Sequence, residues 1–134
     1  MQGTNLADFE KWCSVKTGYT HDYIMMQRRK NFFGGIEYMH AVIDDKYLEY
    51  MAGRPYLPAG LSKNRDLWPT EYRTKYKIDL TANHLVAKLT AQEIHRETVL
   101  EAIEKTPSDQ KAFFCERLTF WMIVMRAWPM PEGE

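Results

Sequence analysis

The most regular hydrophobic pattern in the chain lies in its last third and predicts a helix from roughly Pro107 to Trp128. Thr106 fits the N-cap of this helix, and Pro107 suits its first position, where no intrahelical amide is needed. Its apolar residues cover one stripe and extend around the sides: Phe113, Phe114, Leu118, Phe120, Trp121, Met122, Ile123, Val124, Met125 and Trp128. Such a wide apolar surface is typical of a central helix or of an interface. We expect a scaffold helix ended by Pro129 and Pro131, and a homodimer through it is a further hypothesis.

A second helix is predicted near the N-terminus, from Leu6 to Thr17. Asn5 can cap its first amides, Asp8 lies in its first turn, and Gly18 suits the left-handed residue that follows a helix. Three- and four-residue spacing places these residues on one face: Leu6, Phe9, Trp12, Cys13 and Lys16. This pattern predicts an amphipathic helix with defined ends.

The pattern between residues 19 and 35 leaves two alternatives open, because the run from Tyr23 to Met26 fits a short strand or a helical turn. A helical stripe returns from about Ile36 to Met51. It is formed by Ile36, Met39, His40, Ile43, Tyr47, Tyr50 and Met51. Gly53 is expected to end this helix, since a proline follows two residues later.

The chain changes character from Arg54 to about Lys77, where prolines and glycine interrupt any periodicity. The aromatic residues of this stretch indicate an irregular segment packed on the core instead of a free linker. Residues 76–89 fit a short hairpin or a further helical turn about equally well. Thr90 followed by Glu93 is typical of a capping box and predicts a helix to about Lys105.

These elements predict a mainly α protein, a compact helical domain of four or more helices with a long irregular loop, and a short hairpin is left open. The 134 residues are expected to form a single domain. The longest unbroken apolar run, Phe120 to Met125, has six residues, whereas a membrane-spanning helix needs about 20. The N-terminus lacks the pattern of a signal peptide, and the two cysteines indicate a reducing compartment. We therefore expect a cytoplasmic protein with no membrane partner.

The charges are balanced overall but unevenly distributed. Lys and Arg total 18, as do Asp and Glu, which argues against a surface devoted to nucleic acid. Residues 54–90 carry seven basic and three acidic residues, whereas residues 91–134 carry five basic and eight acidic residues. The middle of the chain is therefore basic as well as aromatic.

This basic aromatic segment, residues 54–77, supplies most candidate partner-binding residues. They are Tyr56, Lys63, Arg65, Trp68, Tyr72, Arg73, Lys75 and Lys77, with Arg54 and Tyr76 in the same segment. Three interpretations stay open. The rings could anchor the segment on the core, the segment could bind a protein, or cations and rings could bind single-stranded nucleic acid by neutralising phosphates and stacking on bases. A smaller cluster, Arg28-Arg29-Lys30 before Phe32-Phe33, has a similar composition.

An acidic row provides the other candidate partner-binding residues, Glu93, Glu97, Glu101 and Glu104. Their spacing places them on the outer face of one predicted helix, where a solvated surface is the commonest explanation. An acidic helix can also engage a basic groove of another protein, including a groove that normally holds nucleic acid.

Metal-ligand patterns are incomplete. Glu37-x-x-His40 followed by Asp44 would place three ligands on one helical face, as in carboxylate-bridged di-iron bundles. Such bundles require a second Glu-x-x-His pair, and neither His84 nor His95 has a glutamate three residues earlier. We expect no metal and no cofactor.

Patterns for covalent catalysis are also missing. Cys13 and Cys115 lie on apolar faces, where thiols usually pack without reacting. No phosphate-binding glycine loop and no nucleophile elbow occur in the sequence. The sequence therefore predicts no catalytic residues and a protein that is not an enzyme.

Phe9-x-x-Trp12, Tyr38 and Tyr47-x-x-Tyr50-x-x-Gly53 resemble the N-terminal module of small accessory proteins from tailed phages and prophages. In those proteins a Phe-x-x-Trp helix precedes a second helix that commonly carries tryptophans, where this chain has tyrosines. The resemblance implies a dispensable early product located in the host cytoplasm. Characterised accessory proteins of this size often inhibit or modulate a host enzyme or defence system. The resemblance assigns no functional residues.

The leading hypothesis is a non-enzymatic binding protein that acts by protein–protein contact, as a phage-encoded inhibitor or modulator of a host nuclease or defence complex. Its partner would be a host or phage protein held by the basic aromatic segment or by the acidic row. One alternative is a nucleic-acid-binding accessory factor that uses the same basic segment. The other is a small enzyme with a site that the sequence does not reveal.

Overall fold

The computed structural model describes residues 5–127. Over this range the chain forms six α-helices and a two-stranded antiparallel sheet. The elements are α1 (Leu6–Thr17), α2 (His21–Met26), β1 (Arg28–Lys30), β2 (Ile36–Tyr38), α3 (Ala41–Ala52), α4 (Thr70–Thr90), α5 (Arg96–Lys105) and α6 (Lys111–Ala127). A 3-10 turn, Arg65–Leu67, lies between α3 and α4. The predicted mainly α class is confirmed.

The N-terminal helix α1 agrees with its prediction at both ends. The side-chain oxygen of Asn5 accepts hydrogen bonds from the amides of Ala7 and Asp8, at 2.9 and 3.3 Å. Gly18 adopts a φ of 81°, the left-handed conformation that commonly follows a helix. The ambiguous run after it is helical, since Tyr23 to Met26 belong to α2.

The prediction of a helix from Ile36 to Met51 places its start too early in the sequence. Ile36 starts strand β2, which pairs with β1 in the register Arg28↔Tyr38. The strands are joined by a tight turn in which the Asn31 side chain accepts the Gly35 amide at 2.7 Å. Helix α3 begins only at Ala41, because the chain must first leave this hairpin.

The largest correction concerns α4. This helix of 21 residues covers a stretch that the sequence analysis assigned to the irregular segment and to a hairpin or helical turn. The irregular segment therefore ends at Pro69, eight residues before Lys77. Apolar residues at helical spacing turn one face of α4 toward α5 and α6: Ile78, Ala82, Leu85, Val86 and Leu89.

The proposed capping box at Thr90 is wrong. Helix α4 runs through Thr90, the chain turns at Gln92 with a φ of 61°, and α5 begins at Arg96. The predicted end of α5 at Lys105 is confirmed.

The C-terminal helix also begins later than predicted. The amide of Gln110 donates to the carbonyl of Pro107 at 2.9 Å in a turn, and α6 starts at Lys111. The predicted last helical residue, Trp128, and the prolines Pro129 and Pro131 lie outside the described residues.

Two buried clusters form the core, and α6 belongs to both. The first cluster is aromatic, and its centre is Phe9, whose ring centroid lies 5.3 to 5.5 Å from those of Tyr38, Tyr47 and Tyr50. Helix α6 adds Ile123 to this cluster. The second cluster packs α4 and α5 against the other part of α6. The expected central position of the last helix is therefore confirmed.

The large apolar side chains of α6 between Phe113 and Met125 are all buried or half-buried by the described chain. The wide stripe is thus covered without a second copy, and the homodimer stays a prediction. Across residues 5–127, each helix is too short or too polar to cross a membrane.

Candidate functional site

The basic aromatic segment forms a cavity where the 3-10 turn meets the first turns of α4. Its volume is about 300 Å³, at the lower end of the range for ligand pockets. We call it the cationic cavity, and its lining residues are Arg65, Asp66, Trp68, Arg73, Tyr76, Lys77 and Leu80. Four of the eight partner-binding residues proposed for this segment therefore meet here: Arg65, Trp68, Arg73 and Lys77.

Contacts between the turn and the helix build the wall of the cationic cavity. The indole nitrogen of Trp68 donates a hydrogen bond to the carbonyl of Ser62 at 2.6 Å. The Trp68 ring meets Tyr76 edge-on, with 5.6 Å between centroids and 83° between planes, which is a favoured aromatic geometry. The guanidinium carbon of Arg65 lies 4.9 Å from the Tyr76 ring centroid. The Tyr76 ring is therefore occupied by neighbours and serves as wall.

The cations of this cavity lack acidic partners among residues 5–127. Arg73 donates from Nη2 to the hydroxyl of Thr70 at 3.2 Å, and its buried Nε has no hydrogen-bond partner. Arg65 and Lys77 are exposed, and none of the three cations belongs to an ion pair of the described chain. With Asp66 as the one carboxylate on the lining, three positive charges and one negative charge leave a net charge of +2.

A second cavity adjoins the first at Lys77, which lines both. Its volume is about 390 Å³, and we call it the apolar cavity because four of its lining residues are apolar. The lining combines α4, the end of α5 and the turn before α6: Lys77, Ile78, Thr81, Ala102, Lys105, Thr106, Pro107, Gln110 and Phe114. The two cavities share Lys77 on their linings, and we call them together the α4 groove.

Tyr56 is half-buried and packs between α4 and α6, outside the α4 groove. Its hydroxyl donates to Asp79 at 2.7 Å, and its ring packs edge-on against Phe113 with 5.3 Å between centroids. Burial and the Asp79 carboxylate both raise the pKa of Tyr56 above its usual value. The interpretation in which rings anchor the basic segment on the core describes this residue.

The remaining basic candidates lie outside the cationic cavity. Lys75 pairs with Glu71 at 3.3 Å and approaches the rings of Tyr72 and Phe113, with its nitrogen 5.9 and 5.8 Å from their centroids. Tyr72 and Lys75 therefore lie on the Phe113 side of α4. Lys63 is exposed in the connection before the 3-10 turn.

The acidic row is only partly helical. Glu97, Glu101 and Glu104 are exposed on α5 and form no ion pair within the described chain. Glu93 precedes the helix, and its amide donates to the carbonyl of Lys88 at 2.8 Å as the chain reverses. Three of the four glutamates thus share one helix.

The Arg28-Arg29-Lys30 cluster contributes to internal ion pairs. Glu10 is fully buried and accepts two hydrogen bonds of 2.6 Å from Arg28, one of 2.8 Å from Tyr38 and a contact of 3.3 Å from His21. Burial alone would raise the pKa of Glu10, but these hydrogen bonds outweigh it and hold the pKa below its usual value. The Glu10 carboxylate therefore ties α1 to the hairpin as an anion.

A second buried carboxylate, Glu37, lies on strand β2. Arg29 approaches it at 2.8 Å and Arg126 of α6 at 3.3 Å. Asp44 lies nearby on α3, where burial raises its pKa to about 6 against the partial compensation from Arg126. One buried oxygen of Asp44 has no hydrogen-bond partner in the described chain. Two arginines thus balance Glu37, while Asp44 is poorly compensated.

The third internal site joins α4 to α6. Asp79 accepts hydrogen bonds of 2.8 Å from Arg117 and Trp121, in addition to the bond from Tyr56. Arg117 is buried and packs over the ring of Phe120, with 4.2 Å to the centroid. One carboxylate therefore accepts three hydrogen bonds and connects Tyr56 and α6 to α4.

The metal pattern considered in the sequence required a helix that includes Glu37 and His40, whereas α3 begins at Ala41. Glu37 is on β2, and His40 is the N-cap of α3, accepting the Val42 amide at 3.2 Å. Glu37, His40 and Asp44 therefore do not share one helical face. Within residues 5–127, no group of three or more His, Cys, Asp or Glu side chains is arranged to hold a metal ion.

The two thiols are held in their protonated form. Burial raises the pKa of Cys13 and of Cys115, and a protonated thiol is a poor nucleophile. Cys115 borders a small cavity of about 180 Å³ beside Gly35 and Thr119. A Cβ at Gly35 would overlap the Thr119 hydroxyl, so a side chain there would require Thr119 to move.

Sequence reasoning missed Asp66, Leu80 and the apolar cavity. The signal for part of the site was present, because Arg73, Lys77 and Leu80 recur at four- and three-residue spacing and share a face once α4 is known to be helical. The contribution of Lys105 depends on how α5 packs, which local spacing does not encode.

The residues that carry the resemblance to phage accessory proteins have a clear structural role. Phe9, Trp12, Tyr38, Tyr47 and Tyr50 meet in the first core cluster, and Gly53 follows α3. Comparisons with protein-family models, curated proteins and solved structures find no match to the chain. The resemblance therefore stays a prediction.

Proposed function

We propose that the chain is a non-enzymatic binding protein that acts by protein–protein contact, with an acidic segment of its partner held in the α4 groove. The observation that carries this proposal is a set of three cations around one cavity, Arg65, Arg73 and Lys77, that form no ion pair with the described residues. Complementary charge gives an interface its specificity and raises the rate of association. Leu67, with 71% of its surface exposed, and Leu80, with 38%, add apolar contact area beside these cations.

Single-stranded nucleic acid is the alternative ligand for the same groove. Base stacking requires open ring faces, and the arrangement around Tyr76 disfavours it. Arg65 lies over this ring, and Trp68 packs against it with the two ring planes nearly perpendicular. An acidic protein segment uses the cations without displacing those contacts, so we favour a protein partner.

The proposal that the partner is a host nuclease or defence complex rests on the resemblance of the N-terminal motif to phage accessory proteins. The exposed row Glu97, Glu101 and Glu104 is compatible with it, because an acidic helix can occupy a groove built for nucleic acid. Adding the chain to the purified partner should then lower its nuclease activity. Reversing these three charges should restore activity if the row makes the contact.

The principal test uses an identified partner. The tagged chain is incubated with a lysate of the cells that naturally produce it, the captured protein is identified and purified, and its dissociation constant is measured by calorimetry. Replacing Arg73 and Lys77 by glutamate should weaken binding by about tenfold or more, since tenfold corresponds to about 1.4 kcal/mol. The control replaces the exposed Lys11 and Lys30 by glutamate.

Equal loss of affinity in the two double variants would show a general charge effect and contradict a contact in the α4 groove. Loss of capture after nuclease treatment, together with salt-dependent binding of a short single strand, would support the nucleic-acid alternative.

A further inference from the structure

We infer that the α4 groove recognises a peptide segment in which an apolar side chain is flanked by acidic residues. This inference rests on the proposed function and specifies the chemistry of the partner. It follows from the juxtaposition of the cationic cavity and the apolar cavity, which share Lys77 as a common wall.

The cationic cavity is suited to a carboxylate. Within residues 5–127 the Arg73 guanidinium makes one hydrogen bond, although it has five donors, and that bond goes to a neutral hydroxyl at 3.2 Å. The buried Nε of Arg73 has no acceptor in the described chain, so a small rotation of the side chain toward an anion would exchange few existing contacts. Lys77 and Arg65 are exposed on the same lining and can approach a carboxylate from other sides.

The apolar cavity is suited to a hydrophobic side chain. Ile78, Ala102, Pro107 and Phe114 contribute to its lining, and its volume is about 390 Å³. Concave apolar sites of this kind receive the anchor residues that carry most of the energy of an interface. An apolar side chain in this cavity would not leave the Thr106 hydroxyl without a partner, because that hydroxyl already donates to the carbonyl of Ala102 at 2.7 Å.

Two lysines from different helices line the apolar cavity, Lys77 of α4 and Lys105 of α5, and each suits an acidic residue beside the apolar anchor. Lys77 and Lys105 both line it and are both exposed, and neither belongs to an ion pair of the described chain. A segment with its apolar residue in this cavity therefore passes Lys105 on one side. On the other side it passes Lys77 and enters the cationic cavity.

The test compares labelled peptides of equal length by fluorescence anisotropy at low salt. One peptide combines Glu and Leu, one combines Glu and Ser, and one combines Lys and Leu, while an oligothymidylate of similar length represents nucleic acid. The Glu–Leu peptide should bind best and the Lys–Leu peptide should not bind. Replacing Arg73 and Lys77 by Gln should weaken the Glu–Leu peptide by about tenfold, whereas the matched pair Lys11→Gln and Lys30→Gln should not.

The apolar anchor has its own variant. Thr81 is exposed on the lining of the apolar cavity, so Thr81→Trp should fill that cavity without disturbing the core. It should reduce Glu–Leu binding to the level of the Glu–Ser peptide. Val15→Trp is the control, because Val15 is 84% exposed on α1 and lines neither cavity. Far-ultraviolet circular dichroism and thermal unfolding check that each variant is folded.

The outcomes separate this inference from the proposed function. Equal binding of the Glu–Leu and Glu–Ser peptides, unchanged by Thr81→Trp, would overturn the apolar anchor and leave the acidic partner standing. No binding of either acidic peptide, or tighter binding of the oligothymidylate, would overturn both. Loss of Glu–Leu binding in Thr81→Trp alone, with Val15→Trp unaffected, is the result that supports the anchor.

Discussion

Arg28 and Arg73 represent two uses of a cation in this protein. Arg28 forms two hydrogen bonds of 2.6 Å to a fully buried carboxylate. Among the described residues, the Arg73 side chain has one bond of 3.2 Å to a threonine hydroxyl, and its Nε has no partner. Arg28 is on β1 and joins the hairpin to α1, whereas Arg73 lies on the α4 groove. The difference indicates that charges which hold the fold are internally matched, while the unmatched charges are available to a ligand.

The same division extends to other residues. Arg117 resembles Arg28, because it is buried and bound to Asp79 at 2.8 Å. Lys77 resembles Arg73, because it is exposed on a cavity without an acidic partner in the described chain. Removing one member of a buried pair leaves an uncompensated charge and is costly, whereas an exposed cation is stabilised by water. Stability and binding should therefore respond to different substitutions.

The largest effect is expected at Asp79. Asp79→Ala removes the acceptor of Arg117, Trp121 and Tyr56 together and should lower the free energy of unfolding by about 4 kcal/mol, as for other broken buried pairs. Asp79→Asn keeps an oxygen acceptor and should cost less. Urea unfolding at neutral pH measures both variants. Equal losses would contradict a contribution from the retained oxygen acceptor and would assign the effect to the negative charge of Asp79, because Asn has nearly the same volume as Asp.

Arg28→Met is expected to cost somewhat less, about 3 kcal/mol, because it strands the buried carboxylate of Glu10. Without Arg28, burial should raise the pKa of Glu10, so the loss should be larger at pH 7 than at pH 4. The neighbouring Arg29→Met is a matched control, since Glu37 keeps Arg126 at 3.3 Å. A loss in Arg29→Met as large as that in Arg28→Met would contradict this ranking.

Asp44 extends the comparison to an acidic residue, because nearby positive charge only partly offsets the burial of its carboxyl group. Its pKa is raised from 3.8 to about 6 by burial, so between these values the folded state binds more protons than the unfolded state. Its contribution to the free energy of unfolding must therefore fall as pH rises from about 4 to 6. Asp44→Asn should be more favourable relative to wild type at pH 7 than at pH 4. Parallel pH profiles of the two proteins would refute the assignment.

The smallest effect on stability is expected in the α4 groove. Arg73→Gln combined with Lys77→Gln should change the free energy of unfolding by no more than about 0.5 kcal/mol, the usual range for surface substitutions. Urea unfolding of this double variant and of Arg28→Met under the same conditions compares their free energies of unfolding directly. A loss comparable to that of Arg28→Met would place these cations among the groups that hold the fold.

Local signals were sufficient for α1 and insufficient for α4. Asn5 and Gly18 mark the ends of α1 by chemistry that acts within a few residues. The start of α4 after Pro69 has no side-chain cap. The prolines before it interrupt the hydrophobic periodicity, so no local pattern marks where the loop ends and the helix begins. Thr90 and Glu93 matched a capping box because the pattern is short, although α4 continues through Thr90.

The candidate site was predictable in composition but not in geometry. The basic surplus of residues 54–90 identified the segment that forms the cationic cavity. Other charged residues are not candidates for partner binding because they form internal ion pairs. These pairs join residues far apart in sequence, such as Asp79 with Arg117 and Glu10 with Arg28. Such contacts arise from packing, so a single sequence could not show that Arg28 is matched and Arg73 is not.

The most direct test of this division is thermal unfolding with and without the Glu–Leu peptide, because a ligand that binds only the folded state raises the unfolding temperature. Wild type should gain stability with the peptide. Arg28→Met should have a lower unfolding temperature without the peptide, and the peptide should still raise that temperature. Arg73→Gln with Lys77→Gln should unfold near the wild-type temperature without the peptide, and the peptide should raise that temperature little. Unfolding of the double variant without peptide at a temperature as low as that of Arg28→Met would contradict the account. A peptide that raised the unfolding temperature of the double variant as much as that of wild type would also contradict it.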